Sequence, residues 1–149
     1  MVRIYEATRN SELLENLIAM SANWEIENST RGYRKNDCSD FEGNRIFIAE
    51  RNGEILGYLF GQECRAKQTS SVISEETPYF EIEELYVVPA HRSEGIGRKL
   101  FCFVEQEVKS HGIEFLMLST ATKDYRKILH FYIEELGMEF WSARLFKKL

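Results

Sequence analysis

The stretch HRSEGIGRKL, residues 91–100, sets Gly95 and Gly97 on either side of Ile96, with Arg92 three positions before the first glycine. It follows an apolar and acidic run ending at Pro89 and leads directly into a helical pattern. The first main-chain N–H groups of a helix lack intrahelical acceptors, and the dipole is positive at that end. Glycine opens turn dihedrals closed to other residues, and a side chain at Gly95 or Gly97 would block close approach. Amides from Ser93 through Glu94, Gly95, Ile96 and Gly97 to Arg98 are therefore placed to wrap a phosphate or diphosphate, with Arg92, Arg98 and Lys99 adding positive charge. The same residues also suit an ordinary strand-to-helix connection. Two competing phosphate motifs are missing: there is no G-x-x-x-x-G-K-[ST], and Arg98, Lys99 and Leu100 follow Gly97 where G-x-G-x-x-G needs a third glycine.

Upstream, FEIEELYVV carries Glu81, Glu83 and Glu84. Alternation along a strand puts Glu81 and Glu83 on one face and Glu84 with Ile82 on the other. A carboxylate there can act as a general base and attract a cation; the same pattern also fits a solvated edge face. Downstream, Tyr132 shares a helix face with Ile128, Leu129 and Leu136, so periodicity alone reads it as core. His91, His111 and His130 form no ligand set, and no metal is assigned.

The elements that must position these groups are legible in outline. Arg3–Ala7 reads as a first strand, and Asn10 as the cap of a helix whose Leu13, Leu14, Leu17 and Ile18 share a face. Residues 24–43 are polar and poorly patterned, read as a second helix and a loop. RIFIAE, Asn52-Gly53 and EILGYLFG read as a hairpin, and RAKQTSSVISEET as a mobile loop ending near Pro78. After the glycine turn, Ile96, Leu100, Phe103, Val104 and Val108 mark a helix stopped by Gly112. EFLMLST is a short buried strand, Tyr125–Leu136 an amphipathic helix closed by Gly137, and MEFWSARLFKKL one or two closing strands. The sum is a mixed α/β (α+β) domain spanning residues 1–149.

Composition bounds the partners. The 149 residues, 44% hydrophobic and 29% charged, fit one soluble domain. A net charge of −5 does not attract nucleic acid or an anionic membrane. Cys38, Cys64 and Cys102 are scattered, without C-x-x-C spacing, which argues against a disulfide framework or a zinc site. Neither a leader nor a run of about 18 apolar residues is visible, and the expected location is cytoplasmic. Acidic residues Glu25, Glu27, Asp37, Asp40, Glu42, Glu75, Glu76, Glu81 and Glu83 would steer a polycation if gathered around one acceptor pocket, and also fit solvated loops; Trp24 and Tyr33 either line such a pocket or pack the first helix.

LYVVPAHRSEGIGRKL together with FYIEELGMEF resembles the GCN5-related N-acetyltransferase (GNAT) superfamily, most fully over residues 45–149. The first stretch is similar to its R/Q-x-x-G-x-G/A motif after a strand ending in V-x-P, and the second supplies the aromatic-Tyr pair Phe131 and Tyr132 with Gly137 five residues on. The resemblance implies a mostly antiparallel central sheet, flanked by helices, that splays at an acetyl-CoA site. It implies that Leu85, Tyr86 and Val87 pair with the pantetheine arm, that Arg92–Arg98 hold the diphosphate, and that Tyr132 gives a proton to the CoA sulfur. Glu94 stands where the family usually has a neutral or basic residue. Tyr125 replaces a common asparagine and is carried over to the cofactor site. Glu81 and Glu83 fall on positions used as the base in different relatives. The implied activity is acetyl transfer from acetyl-CoA to a small cationic amine, aminoglycoside- or polyamine-like. The rivals are a protein lysine or N-terminal acetyltransferase, a non-catalytic acyl-CoA-binding module and a structural domain that binds no nucleotide. STAT, at the end of the penultimate strand, lacks the glutamate of N-terminal acetylating relatives. Family homodimers make Phe140, Trp141, Leu145 and Phe146 candidates for a dimer contact.

Overall fold

Asn10 accepts the Leu13 amide through its side chain at 2.9 Å and starts helix α1 (Ser11–Glu27) just after strand β1 (Arg3–Ala7). This is the cap expected from the sequence, and it satisfies one of the orphan donors of the first turn. The computed structural model describes all of residues 1–149. Strands β2 (Arg45–Arg51) and β3 (Glu54–Arg65) form the expected hairpin, turning through Asn52 and Gly53 at φ 53° and 83°. Strand β4 (Pro78–Val87) follows, then helix α2 (Ile96–Ser110), strand β5 (Leu116–Leu118) and helix α3 (Tyr125–Leu129). The sheet order is β1-β2-β3-β4-β5; neighbours are antiparallel except β4 and β5, whose parallel pairing needs the α2 crossover. No helix is long and apolar enough to cross a membrane.

Both faces of the sheet are covered. Phe47, Leu59, Phe80 and Ile82 pack with Leu100, Val104 and Tyr132 on the α2 side. Ile46, Ile48, Tyr58, Phe60 and Tyr86 pack with Leu17 on the α1 side. Residues of β2 therefore bury alternately into two cores, which is why RIFIAE reads as an unbroken apolar run.

One irregularity in β4 decides where the acidic residues go. Between the pairs Phe60–Glu84 and Gly61–Ile82, β4 advances two residues while β3 advances one, so Glu83 is the extra residue of a bulge. A Cβ at Gly61 would overlap the Glu81 carbonyl and come within 2.8 Å of the Phe80 ring, so only glycine lets β3 pass this point. Phe80 and Ile82 face the α2 core before the bulge, and Leu85 and Val87 face it afterwards. Glu84 and Tyr86 are thereby turned toward α1. Strict alternation placed Glu84 with Ile82; the bulge instead puts it on the face of Glu81, whose cross-strand partner is Gln62.

The same strand loses its second neighbour. β5 pairs with β4 only at Phe80, Glu81 and Ile82, so from the bulge onward β4 has β3 on one side and a gap on the other. This is the splay expected from the resemblance.

Two expected elements are missing. The segment after Trp24 holds no second helix: α1 continues to Glu27 and stops where Asn28 turns left-handed (φ 53°), leaving only a 3₁₀ turn at Cys38–Phe41. No apolar stripe exists there to fund a helix against the sheet. Beyond Gly137 no closing strand forms. Phe140, Trp141, Leu145 and Phe146 are exposed, Phe146 lying under the Arg31 guanidinium at 4.9 Å. The tail has strand-forming residues but no ladder partner, and a strand exists only through its neighbour.

Candidate active site

Past the end of β4 the chain makes one turn at Pro89–His91 and reaches Ser93 and Gly95, both left-handed, at φ 68° and 79°. No main-chain N–H from Ser93 to Arg98 finds an acceptor within the chain; the first to do so is Lys99, on the Gly95 carbonyl at 3.0 Å. Successive free amides around left-handed residues make an anion-binding nest, reinforced by the α2 dipole. The residues present thus fit a diphosphate. The two glycines serve it differently. Gly95 is needed for its dihedral, with open space where a Cβ would stand. Gly97 is needed for packing, because its Cβ would come 3.3 Å from the Phe131 ring. The side chain of Ile96 is in the core, 1% exposed, so that residue offers only its amide.

Charge around the nest is arranged otherwise than the sequence suggested. Glu94 is held by His91 Nδ1 at 3.0 Å and Arg51 Nη2 at 2.9 Å, which keep its carboxyl below the usual range. Arg92 turns inward: Nε donates to the Val87 carbonyl at 2.8 Å, and Nη1 and Nη2 donate to Glu27 at 2.6 and 3.1 Å. Arg98 reaches the Glu135 carbonyl at 3.2 Å, and Lys99 is exposed on α2.

Beside the nest lies the gap. The Val88 amide donates to Leu56 on β3 at 2.9 Å. By alternation Tyr86 also turns its main chain to β3, while Leu85 and Val87 turn theirs into the gap. Of the three residues expected to pair with an extended arm, Tyr86 therefore has its main chain already turned to β3. Its side chain is buried, with the hydroxyl on Glu27 at 2.8 Å, and burial followed by that carboxylate pushes the phenol up to about 12.

Tyr132 enters from the helix after β5. At His130–Glu135 the helix widens: Leu136 N–H reaches the Phe131 carbonyl at 3.1 Å and Met138 N–H the Tyr132 carbonyl at 2.9 Å. Widened π-turns recur at functional sites. The Phe131 ring against Gly97 and the Arg98–Glu135 bond join this turn to the nest. The Tyr132 hydroxyl bonds to nothing in the chain, and burial alone pushes it up to about 12, leaving a protonated donor at neutral pH. Tyr125 is 54% exposed at the start of α3, its ring against Arg126 rather than in the nest.

On the α1 face a cleft of about 340 Å³ is lined by Asn36, Asp40, Glu42, Asn44, Phe60, Gln62, Glu83 and Glu84. Glu84 organises it. Its two oxygens accept from Asn36 Nδ2 at 3.0 and 2.8 Å, and one also from Tyr58 at 2.9 Å and Tyr33 at 3.3 Å. Burial raises the Glu84 carboxyl, and the donors Asn36, Tyr58 and Tyr33 pull it part of the way back. Burial and then the Glu84 charge push both phenols far up, so they stay donors. Asn36 is itself buried, its main-chain N–H donating to Ser21 Oγ at 2.9 Å. The Asn44 Oδ1 is buried without a partner. The Glu81 carboxyl accepts no hydrogen bond in the chain, and burial followed by the charge of Glu83 raises it. Of the acidic residues expected around an acceptor, Asp40, Glu42 and Glu83 line the cleft, whereas Glu25 accepts the Lys35 amide at 2.7 Å and Glu27 holds Arg92. Asn36, Asn44, Gln62 and Tyr58 were not foreseen. Gln62 and Tyr58 share the β3 face of Phe60, an alternation that the sequence does contain; Asn36 and Asn44 come from an unpatterned loop. A second cleft, about 260 Å³ between Arg126, Leu129, His130, Ile133 and Glu134, includes none of these groups.

The model of the acetyltransferase (GNAT) family matches residues 6–138. An IAA acetyltransferase of Azospirillum brasilense is 30% identical over 84 residues, 56% of this chain and 48% of that protein. An aminoalkylphosphonate N-acetyltransferase of Salmonella typhimurium is 34% identical over 89 residues, 59% of this chain and 53% of that protein. The chain thus matches about half the length of these curated relatives. Among solved structures, a transcriptional regulator from Bacillus halodurans C-125 superposes with TM-score 0.73 at 24% identity over 100% of both chains. An aminoglycoside acetyltransferase from a soil metagenomic sample, in complex with sisomicin, superposes with TM-score 0.68 at 20% identity over 99% of this chain and 96% of its own. Those two likenesses establish the fold, and the family match extends from Glu6 to Met138, through β4, the nest and Tyr132; the chain belongs to the GNAT acetyltransferase family.

Proposed function

We propose that this protein is an acetyl-CoA-dependent N-acetyltransferase acting on a small polycationic amine. The observation that carries the reading is one arrangement: an amide nest at the open end of a splayed strand, joined through Phe131 and Arg98 to a buried tyrosine whose hydroxyl has no partner. GNAT proteins use acetyl-CoA, which supplies the thioester when bound. In this reading the Ser93–Arg98 amides hold its diphosphate, and Leu85 and Val87 pair with its extended arm. Glu81, raised by burial and lacking a fixed partner, takes the proton that an ammonium must lose before its nitrogen can attack. As the C–N bond forms and the C–S bond breaks, Tyr132 passes its phenolic proton to the departing sulfur and the nitrogen sheds its second proton to solvent; Tyr132 then regains a proton from solvent, and Glu81 releases there the one it took.

The cleft speaks for the acceptor. Asp40, Glu42, Glu83 and Glu84 face it with the neutral amides of Asn36, Asn44 and Gln62, and Arg34 on Asp40 at 3.2 Å is the nearby counter-charge. Such a surface favours several ammonium groups and disfavours an anionic tail. The neighbouring structure that holds sisomicin agrees in kind. An aminoalkylphosphonate, acceptor of the Salmonella relative by its name, would set its phosphonate against those carboxylates. Turnover of acetyl-CoA over a panel of aminoglycosides, polyamines, aminoalkylphosphonates and lysine-bearing or free-amine peptides, with products identified by mass spectrometry, tests this. Acetylated polycations are expected. Turnover confined to neutral or acidic amines overturns the acceptor assignment, and absence of any CoA binding overturns the whole.

A further inference from the structure

Glu27 ends α1, on the opposite side of the sheet from the α2 helix, and nothing in its sequence context marks it for the cofactor. Its carboxylate nevertheless receives both terminal nitrogens of Arg92, at 2.6 and 3.1 Å, and the Tyr86 hydroxyl at 2.8 Å. The third side of the guanidinium is closed by its Nε on the Val87 carbonyl at 2.8 Å, and its face lies 5.3 Å from the Tyr86 ring centre. Arg92 is thus fixed in the bidentate geometry that guanidinium and carboxylate favour. The next residue, Ser93, is a non-glycine held at φ 68°. A left-handed non-glycine residue persists where its surroundings over-determine it. Arg92 pinned by Glu27, Val87 and Tyr86 is that surrounding.

We propose that Glu27 is a positioning residue for acetyl-CoA: through Arg92 it holds the left-handed start of the Ser93–Arg98 nest, and Arg92 serves as this staple rather than as a phosphate ligand. The inference rests on reading the nest as the diphosphate site. The Val87 carbonyl already accepts Arg92 Nε, so an extended arm bonding there would share that oxygen with the guanidinium.

Electrostatics and geometry predict opposite signs here, which makes the idea testable. A carboxylate near a diphosphate repels it, so if Glu27 acted by charge alone its removal would tighten CoA binding. As a positioning residue, its removal weakens binding. CoA affinity is measured by titration calorimetry on wild type, Glu27→Gln, Glu27→Ala, Arg92→Ala and the double variant Glu27→Ala/Arg92→Ala, with KM for acetyl-CoA and acceptor and kcat alongside. The expected result is roughly a tenfold loss of CoA affinity in Glu27→Ala and in Arg92→Ala, and no further loss in the double variant, since both remove one staple. Glu27→Gln, which still accepts from Arg92 and Tyr86, recovers part of the loss. The KM for the acceptor and kcat stay within about twofold, which a general folding defect would not allow. Unchanged or tighter CoA binding in Glu27→Ala overturns the proposal, as does additive loss in the double variant, which would give Arg92 its own contact with the phosphates. Wild type that binds no CoA would instead overturn the reading of the nest.

Discussion

The nest and the acidic cleft lie at opposite ends of one stretch of β4, and they are built from different parts of the chain. In the nest the free groups are main-chain amides, while most charged side chains around it are already engaged: Glu94 with His91 and Arg51, Arg92 with Glu27, Arg98 with a carbonyl. In the cleft the groups are side chains, gathered from the loop after α1, from β3 and from the bulge of β4. Backbone recognition suits a ligand that does not vary and needs only the right dihedrals. Side-chain recognition can be rewritten residue by residue for another amine while the nest stays as it is.

The comparison breaks most plainly at Tyr132, which in the proposed scheme serves both ends. Tyr132→Phe removes one hydroxyl that bonds to nothing in the chain. It should cost about 10²-fold in kcat, the low end for general acid catalysis, with CoA affinity within twofold of wild type. A variant with unimpaired kcat would remove the acid from the scheme and leave the nest intact. The glycines sharpen the comparison at the other end. Gly95→Ala forces an L-residue to φ 79°, a cost on the order of 1–2 kcal/mol, and should raise the KM for acetyl-CoA about tenfold at unchanged acceptor KM. Gly97→Ala presses on Phe131 instead, 3.3 Å away, so its larger effect should fall on kcat through the Tyr132 turn. Equal kinetic signatures for the two variants would contradict their separate roles.

These differences explain what could be read beforehand. The Asn10 cap, the Asn52-Gly53 turn and the start of α2 are local consequences of dihedral preference, and the splay of the sheet is what the family resemblance implied; all stand in the structure as expected. The faces of the β4 glutamates do not follow from the strand alone. The bulge at Glu83 depends on Gly61 of the neighbouring strand, and one inserted residue inverts the alternation that follows. Asn36 escaped because it lies in a loop without period, yet its buried amide supplies two of the bonds to Glu84. The tail misled in the other sense. Phe140, Trp141 and Phe146 carry β propensity, which settles nothing until an edge pairs with them.

Glu84→Gln tests the cleft with a smaller effect. It keeps the shape, leaves Asn36 facing an amide, and removes one negative charge, so the acceptor KM should rise about threefold for a polycation and stay level for a monoamine. Its stability signature has a defined sign. The folded-state carboxyl is raised above its ordinary value of 4.5, so between 4.5 and that raised value the native state binds more protons than the unfolded one. Wild type therefore loses this contribution as pH rises through the window, and Glu84→Gln should gain on wild type in urea melts over the same interval. A gain that appears on acidification would mean the donors outweigh burial.

The smallest expected effect separates Glu81 from Glu83, which strict alternation treated as a pair. Burial is the first cause of the raised Glu81 carboxyl and the charge of Glu83 the second, so Glu83→Gln removes the lesser part. If Glu81 is the base, the acid limb of kcat/KM should move to lower pH by less than about one unit in Glu83→Gln and disappear in Glu81→Gln. Tyr132, at about 12, should add no alkaline limb near neutrality. An acid limb unmoved by Glu83→Gln but lost in Glu84→Gln would transfer the base to the carboxylate that Asn36, Tyr58 and Tyr33 hold. The cleft would then supply the chemistry as well as the recognition, and β4 would owe its reactive face entirely to the bulge.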